Sequence, residues 1–223
     1  MSLLRSFDDS DEIILHRLFF ALKPSAEAVA EIADVRGGIG VAKSHVFDHR
    51  LHLTLWSLDL PMTPTQGIVD ALRGAAAKVN GPALRVALAE VVGNGHVTCL
   101  KPGEPMPVLK AFQQKLQLAI ADAGIWPNRG FRFEPHITLA YGQAEGQRRP
   151  ILPISWRAHD FVLIHSLVGL TEHVELGRWT LEGRVRSPFS SSSFPRRRKP
   201  PENESRTNRG TTWRLGGFPP SRE

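Results

Sequence analysis

The sequence predicts an α+β fold, and three observations carry that expectation. Short runs rich in β-branched and aromatic residues recur along the chain. Three longer stretches space their apolar residues as one helix face would. Gly93-Asn94-Gly95, lying between two strand-like runs, is a strong hairpin turn signal.

The elements follow in order. Ile13 to Leu22 (IILHRLFFAL) reads as a buried strand. Pro24-Ser25 opens a helix that runs to about Val35, with Glu27 and Glu31 favourable near its start. Gly37, Gly38 and Gly40 make a connection, and Leu51 to Leu58 is the next strand. Pro64 to Asn80 is a second helix, closed by Asn80-Gly81-Pro82. Ala83 to Val92 and His96 to Lys101 form the hairpin pair. The third helix spans about Met106 to Ala123, with Leu109, Phe112, Leu116, Ala119 and Ala123 on one stripe and Gly124 as its stop. Strands at His136 to Tyr141, Asp160 to Val168 and Val174 to Leu181 complete the body.

Composition narrows the function classes. The chain of 223 residues carries 41% apolar and 22% charged residues, ordinary values for a water-soluble domain. Its one cysteine, Cys99, excludes an intramolecular disulfide and a cysteine-based zinc site, which fits a reducing, cytoplasmic setting. The start is acidic (Asp8, Asp9, Asp11, Glu12), unlike a signal peptide, and no apolar run approaches the ~20 residues a membrane helix needs. The net charge of +6 belongs wholly to the end of the chain: residues 185–223 hold nine basic and three acidic residues, which leaves 19 of each sign before them. Three segments are therefore expected: an acidic arm over 1–12, a folded body over 13–185 and a basic Ser/Pro/Arg-rich tail over 186–223. The tail lacks the apolar periodicity needed to offset its ordering entropy and reads as disordered. Either it holds RNA phosphates or it is a solvated extension.

Two strand segments carry the same chemistry. His52-Leu53-Thr54-Leu55 and His136-Ile137-Thr138-Leu139 each set one imidazole and one hydroxyl on a common face, with aliphatic residues on the other. Two imidazoles across a cleft can supply a general base and a general acid near neutral pH without a metal. A third His-x-Thr, His96-Val97-Thr98, follows the hairpin glycines directly and reads as an exposed turn histidine. His45, His49 and His52, with Asp48 between them, cross from loop to strand, a spacing that does not preset a zinc geometry. Trp56 follows Thr54 by two and so is placed on the face of the motif, as a stacking platform or as packing. Trp126, Trp156 and Trp179 read as packing, and His16, His159, His165 and His173 as structural.

The paired motifs, Arg17-Leu18-Phe19-Phe20-Ala21-Leu22 followed by Pro24, and Phe133-Glu134-Pro135 before the second motif resemble the two-histidine (2H) phosphoesterases. Within them the chain is similar to the bacterial RNA 2′,3′-cyclic phosphodiesterases, also called 2′–5′ RNA ligases, over roughly residues 13–185. The resemblance implies a bilobal, pseudo-two-fold fold with two antiparallel sheets around a central cleft flanked by helices. It implies metal-independent opening of a 2′,3′-cyclic phosphate to a 2′-phosphomonoester, with reversible 2′–5′ ligation as a companion reaction. His136 would be the base and His52 the acid, Thr54 and Thr138 would hold the phosphate, and no cofactor is called for. The partner would be RNA or a nucleotide with a cyclic-phosphate end, met by a monomer away from any membrane. One departure stands out: family members often carry Arg where this chain has Tyr141, which could bond or stack, or could be a core aromatic opposite His136. Arg132, Arg129 and Arg50 are the candidates to replace that charge. Alternative readings are a non-catalytic RNA-binding protein, or an esterase for a small cyclic nucleotide or ADP-ribose cyclic phosphate.

Overall fold

The computed structural model describes residues 15–142, 148–168 and 172–181; the expected acidic arm and basic tail lie outside them. The elements run β1 (His16–Leu22), α1 (Ala26–Gly37), β2 (Ser44–His45), a 3-10 turn (Asp48–Arg50), β3 (Leu53–Leu60), α2 (Gln66–Ala77), β4 (Leu84–Gly93), β5 (Val97–Lys101), α3 (Pro107–Ala121), β6 (Ile137–Tyr141), β7 (Arg148–Ala158), β8 (Asp160–Leu167) and β9 (Glu172–Thr180). The helix starts follow local chemistry. Ser25 and Thr65 cap α1 and α2 by accepting from the amides of Ala28 and Ile68, and Pro107 opens α3, where its missing N–H costs nothing. Among the described residues no helix is long and apolar enough to cross a membrane.

The strands pair antiparallel in the order β7-β4-β5-β6-β3-β1-β8-β9, with β2 beside β6. This is one hydrogen-bonded path, but β3 and β6 join through a single residue pair, Leu53 opposite Ile137. Two four-stranded antiparallel halves therefore meet at one point, β3-β1-β8-β9 and β6-β5-β4-β7. Each half contains the same strand–helix–motif strand passage, β1-α1-β3 in the first and β5-α3-β6 in the second. β8 and β9 return to the first half after the second is complete.

The helices share one face of the sheet. Ala28 and Ile32 of α1, Leu72 and Ala76 of α2, and Leu109, Phe112 and Leu116 of α3 bury against Leu18, Phe20, Leu55, Leu88, Leu100 and Leu139 in one core. Burying each such leucine or phenylalanine contributes about 1.5–3 kcal/mol. Among the described residues the opposite face holds a small buried cluster, Phe19, Ala21, Val162 and Ile164, and that face is left open for a cleft.

One strand was invisible in the sequence. Pro150 and Pro153 argue against a strand at 148–158, yet β7 forms there as an edge strand that pairs with β4 alone. An edge tolerates proline because one side of it needs no donors.

Candidate active site

The motif strands meet at a point of symmetry. Leu53 and Ile137 are the middle residues of the two His-x-Thr motifs, and they pair with each other. A two-fold axis through the junction requires equivalent residues to face one another in this way. Counting along the antiparallel pair brings His52 level with Thr138 and His136 level with Thr54. Leu53, Leu55, Ile137 and Leu139 are all in the core, so both histidines and both threonines share the open face.

A β-bulge follows each threonine. Ala21 pairs with Thr54 but Phe20 pairs with Trp56, which leaves Leu55 as the extra residue. In the second half Cys99 pairs with Thr138 and Thr98 with Ala140, which leaves Leu139 extra. The bulges reverse the alternation beyond both motifs, which corrects the face expected of Trp56 and decides between the two readings of Tyr141. Trp56 does not share the face of His52: it is 0% exposed, in the core beside Phe20 at 6.2 Å. Tyr141 is no core aromatic; it turns back to the face of His136 and is 48% exposed. Ser57, the equivalent residue in the first half, is buried opposite Phe19. Tyr141 is close enough to Arg17 to help raise that guanidinium's pKa, which is raised first by its bidentate bond to Asp59.

Each catalytic-type histidine is held in the same way. His52 Nδ1 donates to the Arg50 carbonyl at 2.6 Å, and His136 Nδ1 donates to the Glu134 carbonyl at 2.7 Å. A carbonyl can only accept, so each Nδ1 carries its proton and each Nε2 is left for a ligand. His52 is wedged between Phe19, with ring centroids 4.7 Å apart, and His173, at 5.5 Å. Burial lowers its pKa to about 4, and the charges of Lys23, His136 and Arg50 push the same way against the Arg50 carbonyl bond. His173 falls to about 3, chiefly through burial. Arg50 Nη2 lies 3.2 Å from His173 Nε2. An arginine only donates, so His173 accepts there and its proton is on Nδ1, which is buried with no partner, as is Arg50 Nε.

The sequence reading missed His173 as a site residue, since nothing local marks it. It also missed the pair Lys23 and Lys101, for which a signal exists: Leu22-Lys23-Pro24 and Leu100-Lys101-Pro102 each end a strand before a helix. Lys23 Nζ donates to the His49 carbonyl at 2.8 Å, whereas Lys101 Nζ meets Glu134 Oε2 at 3.3 Å. Arg148 bonds Glu90 at 2.7 Å. These two ion pairs, with Val92 and Phe133, line a cavity of about 330 Å³ beside the second motif.

Of the remaining candidates, Arg129 and Arg132 are exposed on the loop before β6, which Asn128 ties to β3 through the Asp59 amide and the Ser57 carbonyl. His96 is exposed and Thr98 is buried, so the third His-x-Thr does not enter the cleft. His49 stacks on Phe47 at 5.8 Å and is near enough to His173 for its charge to help lower that imidazole's pKa. Trp126, read as packing, is instead 67% exposed, while Trp156 is buried and donates to the Lys23 carbonyl at 3.1 Å.

Solved structures share this fold. Among curated proteins none matches. A phosphoesterase crystal structure aligns with a TM-score of 0.64 and 27% identity, over 75% of this chain and 99% of its own. LigT of E. coli, crystallised with 3′-AMP, aligns at 0.62 and 26%, over 76% and 99%. A protein of Thermus thermophilus shares the fold at 0.58 and 22%, over 75% and 99%. The family model described as the 2′-5′ RNA ligase superfamily matches residues 23–169, well over half of the sequence. The chain belongs to the 2′-5′ RNA ligase superfamily, the two-histidine phosphoesterases.

Proposed function

We propose that the chain opens a 2′,3′-cyclic phosphodiester at an RNA or nucleotide end and leaves a 2′-phosphomonoester. Membership of the superfamily implies phosphodiesterase or RNA ligase chemistry, and the finer assignment rests on one observation. The Leu53–Ile137 pair sets two His-x-Thr motifs side by side, each with its Nδ1 bonded back to the chain and its Nε2 unused. Such a pair can take a proton from water on one side of phosphorus and give one to the leaving 3′-oxygen on the other. The P–O3′ bond breaks as the water oxygen bonds to phosphorus. Thr54 and Thr138 donate hydrogen bonds to the non-bridging oxygens. If a 5′-hydroxyl replaces water, the same two proton transfers give a 2′–5′ linkage. The similar E. coli LigT has been crystallised with 3′-AMP, ATP and NADP+, which supports a nucleotide in this cleft.

The surroundings of His52 favour an exchange of the roles that the resemblance implies. With a pKa near 4, His52 is neutral at pH 7 and offers its Nε2 lone pair, so we assign it as base and His136 as acid. Tyr141, on the open face where many relatives have Arg, stacks on the nucleobase in this reading. Residues 13–185 would be the catalytic body, with the arm and tail as appendages. A monomer suffices, because one chain supplies both motifs, and the single buried cysteine suits a reducing cytoplasm.

The test is turnover of a 2′,3′-cyclic mononucleotide by the purified protein, with product identified by phosphorus NMR. His52→Ala and His136→Ala should each lower it by about 10²–10⁴-fold while circular dichroism stays unchanged. Full activity in either variant would falsify the assignment.

A further inference from the structure

The two halves are alike in backbone but not in charge. Ala21 and Leu22 pair with Thr54 and Leu53 as Cys99 and Leu100 pair with Thr138 and Ile137. Lys23 and Lys101 are therefore equivalent, and so are Arg50 and Glu134, each two residues before its histidine. In the second half the two cations that line the cavity beside the motif are matched, Lys101 by Glu134 and Arg148 by Glu90. In the first half the equivalent of Glu134 is a second cation. Lys23 and Arg50 meet no carboxylate in a hydrogen bond or ion pair among the described residues. Glu175 acts on Lys23 only at longer range and is already held bidentately by Arg178, which also bonds Asp160, and Asp48, two residues before Arg50, is paired with Arg36. Arg50 Nε and His173 Nδ1 are donors without acceptors. A site with surplus donors, surplus positive charge and no acid of its own is built for an anion.

This anion is not the reacting phosphate, which belongs between the two His-x-Thr motifs at the junction. Lys23, Arg50 and His173 lie off that junction, beyond His52 on the side away from His136, with His173 on β9 at the outer strand of the first half. We infer that Lys23, Arg50 and His173 form a second phosphate subsite, which takes the 5′-phosphate of the terminal nucleotide while its cyclic phosphate sits at the motifs. The inference rests on the proposed reading of the motifs as a phosphate centre. His173, neutral and accepting from Arg50, is a positioning residue that aims the guanidinium; Lys23 and Arg50 make the contact. The group is either a free 5′-monophosphate or the last bridging phosphodiester of an RNA, since the chemistry recognised is the same.

Calorimetric titration separates these two sources and does not depend on turnover. Adenosine 2′,5′-bisphosphate should bind the full chain at least about tenfold more tightly than 2′-AMP, the gain of a charge-assisted contact. Arg50→Gln should remove most of that preference, His173→Gln should remove part of it, and added salt should shrink it. Lys101→Gln, the matched change in the other half, should leave it in place and shows that the loss is local. Equal binding of the two ligands by the unmodified protein, or a preference that survives in Arg50→Gln, overturns the subsite. A bisphosphate preference without turnover of any cyclic phosphate leaves the subsite standing and overturns the hydrolase reading instead. ApA ending in a 2′-phosphate tells the sources apart: binding as tight as the bisphosphate assigns the subsite to the bridging phosphate of RNA, and weaker binding to a free 5′-phosphate.

Discussion

The first and second halves of this sheet repeat the residues that would meet the reacting phosphate and differ in the residues around them. Both have His-x-Thr, a histidine bonded through Nδ1 to a carbonyl two residues back, a bulge after the threonine, and Lys-Pro at the end of the neighbouring strand. They differ at Arg50 against Glu134, Ser57 against Tyr141 and Ala21 against Cys99, whose Sγ lies 3.8 Å from Thr138 Oγ1. Opening a cyclic diester needs two proton transfers on opposite sides of one phosphorus, so repetition serves the chemistry. A nucleotide has no such symmetry. Under the proposed reading the departures from repetition orient the substrate, with its second phosphate towards the first half and its base towards Tyr141.

The largest expected effect tests the symmetry itself. If both halves contribute a proton-transfer group, His52→Ala and His136→Ala should each lower kcat by about 10²–10⁴-fold, the usual worth of such assistance. A loss in one variant alone, measured as steady-state turnover of a cyclic mononucleotide, would mean that one histidine merely shapes the cleft. His96→Ala should change little, because His96 is exposed outside the cleft.

Next in size is the junction. Leu53 and Ile137 are both fully buried and pair across the pseudo-axis. Leu53→Ala and Ile137→Ala should each cost about 2–5 kcal/mol in urea unfolding. Similar costs fit an even junction, and a large difference would show that one half carries the other.

The base-binding difference is smaller. Tyr141→Ala should weaken mononucleotide binding by about 1–3 kcal/mol, the worth of one stacked base, and Tyr141→Phe should restore it. Ser57→Ala, the equivalent change in the first half, should be near neutral because Ser57 is buried opposite Phe19. A defect that phenylalanine does not repair would make the hydroxyl, and not the ring, the important group.

Much of this was legible in the sequence, and the misses have physical causes. The helices, the hairpin and both motifs follow from local caps, periodicity and turn residues. Trp56 was placed on the wrong face, and Tyr141 was left undecided between two, because a period of two was counted straight through bulges at Leu55 and Leu139. A bulge is set by the partner strand, so alternation alone cannot reveal it. β7 was hidden by prolines that only an edge position excuses. His173 reaches His52 through β9 at the far side of the first half, a contact made by topology alone. Lys23 and Lys101 were readable from the repeated Leu-Lys-Pro, but their unequal partners were not.

The smallest expected effect concerns pH and sharpens the charge difference between the halves. The folded pKa of His52 is about 4 and that of His173 about 3, both below the ordinary 6.5. Between those values the unfolded chain binds more protons than the folded one, so stability should fall as the pH drops from about 6.5 towards 4. His173→Gln removes one of the two groups and should flatten that slope in urea midpoints measured across the range. For catalysis the sign is the same: His52 as base must be unprotonated, so kcat/KM should hold down to about pH 5 and fall through about 4. Lys23 lowers the His52 pKa through its charge, after burial, so Lys23→Gln should move the acid limb upward by less than the burial effect does. Lys101→Gln in the neutralised half should not move it. An acid limb unmoved in Lys23→Gln but shifted in Lys101→Gln would reverse the assignment, with His136 then answering to the charge beside it as the base.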